Sequence, residues 1–195
     1  MTFTREHLDH PGLILDWGEL AHALRDVPDD PDIASQEYRK VMAAFCTGLT
    51  IVTGMAPDGP RGMTCQSFSA LSLDPPLVLV CPGVGSSTWP AIAATGNFAV
   101  NVLSADQRDL CLQFAKKGGD KFTSVAWQSG PHTRAPLLDG ALATIECRVD
   151  ISHHAGDHYI VVGRVLGLTH DETGWPLLFF RSGFGEFTAE GTPLT

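Results

Sequence analysis

The sequence predicts a mainly β protein, folded as an antiparallel barrel with a few short helices. Three observations carry this. Residues 145–151 alternate strictly, with Ile145, Cys147, Val149 and Ile151 on one face and Glu146, Arg148 and Asp150 on the other, the period of an extended strand. PPLVLVCPG at 75–83 is a continuous apolar run, as a strand covered on both faces requires. Short strand-like runs recur between turn residues throughout, and helical patterns enter only as insertions.

Each element follows in order. DWGELAHALRD at 16–26 places Trp17, Leu20 and Leu24 near helical spacing and predicts a short amphipathic helix. VPDDPDIAS at 27–35 is rich in Pro and Asp and reads as a linker. Ser35 is placed to cap a helix through QEYRKVMAAF, whose Tyr38, Val41, Met42 and Phe45 share a face. LTIVTGM (49–55) is a strand, APDGP (56–60) a turn, and RGMTCQSFSALSL (61–73) one extended segment. A short helix runs from Trp89 or Pro90 to Thr95, with Pro90 in its first turn and Gly96 ending it. FAVNVLS (98–104) is a strand and ADQRDLCLQFAKK (105–117) a helix with Leu110, Cys111 and Phe114 inward. HHAGDH (153–158) reads as a turn or loop, YIVVGRVLGL (159–168) as a return strand, and PLLFFRSGF (176–184) as the last strand.

Composition narrows the function. The 195 residues are 44% hydrophobic and 18% charged, which disfavours disorder. Area scaling leaves roughly 9,000 Å² exposed on folding against roughly 30,000 Å² unfolded, enough for a real core. The net charge of −9 argues against nucleic-acid binding, which needs cations to displace counterions. That charge is uneven: residues 1–35 hold eight acids and two bases, a sum of −6, and residues 36–195 carry the remaining −3. No run approaches the ~18 apolar residues of a membrane helix, and MTFTREHLDHPG has no secretory pattern. The five cysteines are widely spaced and mostly within apolar runs, which fits reduced thiols in a cytoplasmic protein.

Three segments are candidates for chemistry. In RGMTCQSFSALSLDPPLVLV, Gly62 permits close backbone approach, and Thr64, Gln66, Ser67 and Ser69 supply neutral donors and acceptors beside an apolar run. A flat heterocycle with one polar edge needs such a surface, and an ordinary edge strand with a polar outer face shows the same residues. In CPGVGSSTWPAIAATG, Ser86, Ser87 and Thr88 precede a helix start, where hydroxyls and free N–H groups bind phosphate without Lys or Arg, or simply cap. In AGDHYIVVG, His158 opens a strand beside a Gly-Asp turn, facing a ligand or solvent. His153 and His154 are adjacent, so in an extended chain they point to opposite faces. No cluster has metal-site spacing, no GxSxG elbow occurs, and no metal is assigned.

Taken together these segments resemble the flavin reductase family of short-chain NAD(P)H:flavin oxidoreductases. The resemblance covers about residues 36–187 and rests on YRKVMAAFCTGLTIVTG, GMTCQSFSALSLDPPLVLVC, the SSTW stretch, FAVNVLS, Gln113-Phe114, Asp120-Lys121-Phe122, GDH at 156–158 and PLLFFRSGF, in that order. It implies a six-stranded antiparallel Greek-key split barrel, a homodimer, and bound FAD or FMN reduced by NADH or NADPH for a partner monooxygenase. By the same resemblance Arg61, Gly62, Met63, Thr64, Gln66 and Ser67 hold the flavin ring and ribityl chain. Cys81, Pro82 and Gly83 border it, Ser87 and Thr88 take its phosphate end, and Phe114 packs near it. His158, as the one catalytic candidate, helps place the nicotinamide along with Phe180 and Arg181. Residues 1–35 lie outside the resemblance as an acidic extension, and 188–195 form a tail. Leu13, Ile14, Leu15, Trp17, Leu20 and Leu24 are too apolar for a free tail, so the extension is expected to pack on its own barrel or the dimer mate; its acidic composition equally fits a solvated helix with a frayed start.

The rival reading is a non-catalytic flavin-binding or redox-carrier barrel. An oxidase of the pyridoxamine-phosphate type shares the barrel but usually shows more Arg and Lys, and a purely structural partner of an oxygenase is a third possibility.

Overall fold

Thr50, Ile51, Val52 and Thr53 are all buried, because their strand has a packed layer on both faces. The computed structural model describes residues 33–187. The chain divides into two compact units, residues 1–39 and 40–195. The expected 16–26 helix, most of the linker, the packing of the extension and the 188–195 tail lie outside the described residues. Helix α1 (Ser35–Met42) contains no buried residue, and Tyr38, Val41, Met42 and Phe45 are all exposed.

The second unit is β-rich. Strands β1 (Thr47–Gly48), β2 (Thr50–Ala56), β3 (Gly59–Cys65), β4 (Phe68–Leu73) and β5 (Pro76–Val80) precede helix α2 (Trp89–Ala93) and β6 (Asn97–Val102). A 3₁₀ turn (Ala105–Gln107) leads into α3 (Arg108–Ala115), followed by β7 (Trp127–Ser129), β8 (Pro136–Leu138), β9 (Ala143–Ala155), β10 (His158–His170), β11 (Leu177–Phe180) and β12 (Gly183–Glu186). The main sheet has the order β3-β2-β6-β9-β10-β5-β4 with every pair antiparallel. Its edge strands β3 and β4 are joined by Gln66 and Ser67 alone, so the sheet has to curl until its edges nearly meet. That closure makes the barrel and removes most of the exposed edge. The six expected strands become seven because the 61–73 segment bends at Gln66–Ser67 and serves both edges.

Two apolar clusters flank the sheet. Val52, Val80, Trp89, Ile92, Phe98, Val100 and Val161 form one, and Leu49, Ile51, Leu103, Cys111, Phe114, Leu138 and Leu177 the other. Neighbours Ile51 and Val52 enter different clusters, as strand alternation demands.

Four expectations change. Glu146 is 3% exposed, because its carboxylate accepts hydrogen bonds from His132 N–H (3.0 Å), Thr133 N–H (2.8 Å) and the Thr133 hydroxyl (2.7 Å); loop 130–135 covers the face that alternation assigns to solvent. Residues 153–158 are not a loop: β9 and β10 continue to Ala155 and from His158, leaving a two-residue turn with Gly156 at φ +61°, a conformation glycine favours. The expected final strand is a hairpin turning at Arg181 (φ 49°) and Ser182 (φ 64°). The helix expected over 105–117 opens as a 3₁₀ turn and ends at Ala115.

All five cysteines are free; Cys46 alone is exposed, and Cys81 is half-buried. Burial pushes the Cys65 thiol from 9.0 up to about 11 and that of Cys147 up to about 12. A thiol whose folded value is raised contributes stability that is complete below pH 9 and is lost as the pH climbs towards 11–12. Urea melts at stepped pH are therefore expected to show stability falling above pH 9. Thiol titration of the native protein at pH 8 should label Cys46 first and leave Cys65 and Cys147 unmodified until unfolding.

Candidate functional site

The site forms where the bent segment, the 81–88 loop, the end of α3 and the tip of the β9–β10 hairpin meet. One cleft is lined by Met63, Thr64, Gln66, Ser67, Cys81, Pro82, Gly83, Ser87, Thr88, Phe114 and His158, together with Lys116, Lys117 and Lys121. Every one of the first eleven is a sequence-predicted site residue. A second cleft adjoins it through Ser87, Thr88 and Lys121, and Arg61 and Gly62 line this one.

Backbone stitching holds the walls. Cys81 N–H donates to Ser67 C=O (3.1 Å), Tyr159 N–H to Pro82 C=O (2.9 Å) and Val84 N–H to Asp157 C=O (2.8 Å). Gly83 and His158 face each other in an isolated antiparallel bridge, which brings the histidine to the cleft. Its Nδ1 lies 2.7 Å from an Asp157 carboxylate oxygen. A carboxylate accepts, so Nδ1 carries the proton in that bond and Nε2 is the nitrogen left for a ligand.

A Cβ at Gly62 would clash with the Phe114 ring, so the glycine makes room for a core side chain, and it also lines the second cleft. Phe114 itself is fully buried and packs edge-on to Phe122 at 5.0 Å. Its ring supports the wall from behind.

The 86–88 stretch leads into a short helix. Helix α2 has only five residues, and Thr88 makes no side-chain cap bond. The cap is the Ser86 hydroxyl, which accepts from Thr88 N–H (3.2 Å) and Trp89 N–H (3.1 Å). The hydroxyls of Ser87 and Thr88 instead share the groove with lysines from the KKGGDK loop, which are distant in sequence and therefore invisible to local reading. Lys121 Nζ donates to Phe114 C=O (2.9 Å) and Gly62 C=O (3.3 Å), and burial pulls its pKa below the ordinary lysine value. Asp120 orders that loop by accepting from the Thr123 hydroxyl (2.6 Å) and Phe122 N–H (2.8 Å), which hold its carboxyl below the usual range.

Phe180 and Arg181 line neither cleft of the single chain. They sit at the β11–β12 turn, where the Arg181 guanidinium stacks on the Phe180 ring at 4.9 Å and the Arg181 main-chain N–H donates to Ala43 C=O. Among the described residues no group of three His, Cys, Asp or Glu is arranged to hold a metal ion. Among them, too, no helix is long and apolar enough to cross a membrane.

A barrel with a cleft walled largely by neutral polar groups and edged by lysines suits a flat, phosphorylated ring system. Residues 42–188 match the flavin reductase like domain, and the chain belongs to that family. It is 43% identical over 156 residues to the reductase subunit HsaB of a flavin-dependent monooxygenase from Rhodococcus jostii, covering 80% of this chain and 78% of that one. It is 44% identical to the FMN reductase (NADH) SmoA of Agrobacterium fabrum, covering 80% and 88%. The structure of the Streptomyces globisporus NADH:FAD oxidoreductase SgcE6, in complex with NAD and FAD fragments, aligns with a TM-score of 0.77 at 37% identity over 80% of this chain and 94% of that one.

Proposed function

We propose that this chain is an NAD(P)H:flavin oxidoreductase that reduces FMN or FAD and supplies it to a partner monooxygenase. The observation that carries the reading is the cleft of neutral donors around Met63–Ser67 and Cys81–Gly83, which Lys116, Lys117, Lys121 and His158 also line. The fit to a flavin is chemical. As an edge strand, β3 presents main-chain polar groups to the ring's pyrimidine edge, and the lysines answer its phosphate.

Bound together, the two cofactors supply the redox chemistry, a hydride passing from nicotinamide C4 to flavin N5. The chain's own residues bind and orient. Met63, Thr64, Gln66 and Ser67 hold the ring against Pro82; Ser87, Thr88 and Lys121 fix the phosphate end; His158 places the nicotinamide. Positioning of this kind contributes several kcal/mol without any acid, base or nucleophile. Such chemistry needs no nucleophile–base pair, and the relatives named as NADH-dependent flavin reductases favour the enzyme over a carrier barrel.

We assign the activity to residues 36–187, acting as a homodimer in the cytoplasm. Exposed Val41, Met42 and Phe45, with Leu73 at 97% exposure on edge strand β4, support a second copy as cover. The protonated buried thiols support a reducing compartment.

Mixing the purified chain with NADH or NADPH and free FMN or FAD tests the reading. Flavin-dependent loss of nicotinamide absorbance is expected. Flavin binding without such loss would favour the carrier alternative.

A further inference from the structure

We infer that the two joined clefts form one groove for a flavin dinucleotide, so that this chain prefers FAD to FMN. This rests on the reductase reading and adds the choice between the two flavins.

Size comes first. The clefts measure about 600 and 590 Å³, each adequate alone for a mononucleotide-sized ligand on a range of roughly 300–1,000 Å³. They adjoin at Ser87, Thr88 and Lys121, which line both, so a ligand extended beyond one phosphate has a second cleft beside it.

Charge then sorts the groove. The cleft beside His158 holds Lys116, Lys117 and Lys121 against the single carboxylate of Asp157. The other holds Arg61 and Lys121 against Asp58 and Asp120, and Arg61 is already paired with Asp58. The first is cationic and the second balanced. Phosphates belong in the first and at the junction, and an uncharged nucleoside in the second. Carboxylates suit such a nucleoside because they accept from ribose hydroxyls. Asp58 and Asp120 retain capacity for this, since a carboxylate offers about four lone-pair sites.

Lys121 marks the junction. Its ammonium has three donors, two of which go to the carbonyls of Phe114 and Gly62. The third remains for the diphosphate bridge, which FAD has and FMN lacks.

The test is equilibrium dialysis of the full chain with FAD and with FMN, using AMP as competitor. FAD is expected to bind about tenfold more tightly than FMN, a difference of about 1.4 kcal/mol. AMP should displace FAD but leave bound FMN in place. Thr123→Trp, which fills the balanced cleft from an exposed position, should bring the two dissociation constants to within about twofold of each other. Lys121→Met should weaken FAD more than FMN. Equal affinities in the native chain, or AMP that competes with NADH and not with FAD, would overturn the inference. The second outcome would seat the nicotinamide nucleotide's adenosine there instead. If neither flavin binds nor is reduced, the reductase reading fails first.

Discussion

Replacing Phe98 by alanine is expected to cost about 3–5 kcal/mol, the range for truncating a buried aromatic. At roughly 2–4 °C per kcal/mol for a chain of this size, that lowers the melting temperature by about 6–20 °C. The ring is fully buried on β6, a central strand, and packs edge-on to Trp89 at 6.0 Å among Val52, Val100 and Cys147. Strands on both sides fix the backbone through paired registers with β2 and β9, so the void cannot collapse easily. Differential scanning calorimetry on Phe98→Ala, with Phe98→Leu as a milder partner, measures the effect. A shift below 2 °C would show that this cluster is not the barrel's core.

Replacing His158 by alanine is expected to lower kcat/KM for NADH by about 10–100-fold, the scale on which a small misplacement of the reacting atoms acts. The fold should survive, because the side chain is about half exposed and the Gly83 bridge is made by the main chain. A positioning role and an acid–base role give different pH profiles. If His158 only orients, its loss changes KM and turnover without deleting a limb of the pH–rate curve. Asp157→Asn keeps a hydrogen-bond acceptor beside Nδ1 and should retain most of the activity. Unchanged NADH kinetics in His158→Ala would remove the histidine from the site.

Much of this was legible in local sequence. The strands at 49–55, 75–83 and 98–104 follow from β-branched and apolar runs, and the inward Cys111 and Phe114 from helical spacing. The clustering of Met63, Thr64, Gln66 and Ser67 with Cys81 to Gly83 and His158 followed from the family resemblance, not from any local pattern. What stayed hidden depends on tertiary structure. Glu146 reads as solvent-facing by alternation, and only a loop folded over it satisfies its carboxylate. The Arg181–Ser182 turn has positive φ at two residues that rarely announce it. The lysines of the 116–121 loop gain meaning only when the fold sets them beside Ser87 and Thr88.

The bend at Gln66–Ser67 has a thermodynamic consequence. It is the clasp of a hoop: the same two residues end one sheet edge, begin the other and line the cleft. A ligand seated there grips both ends of the hoop at once. Its binding free energy then adds to the barrel's resistance to opening, by RT ln(1 + [L]/Kd) for free ligand at concentration [L]. Flavin bound in that cleft would add this contribution, and its release at hand-over would withdraw it, leaving the barrel least resistant to opening at that moment.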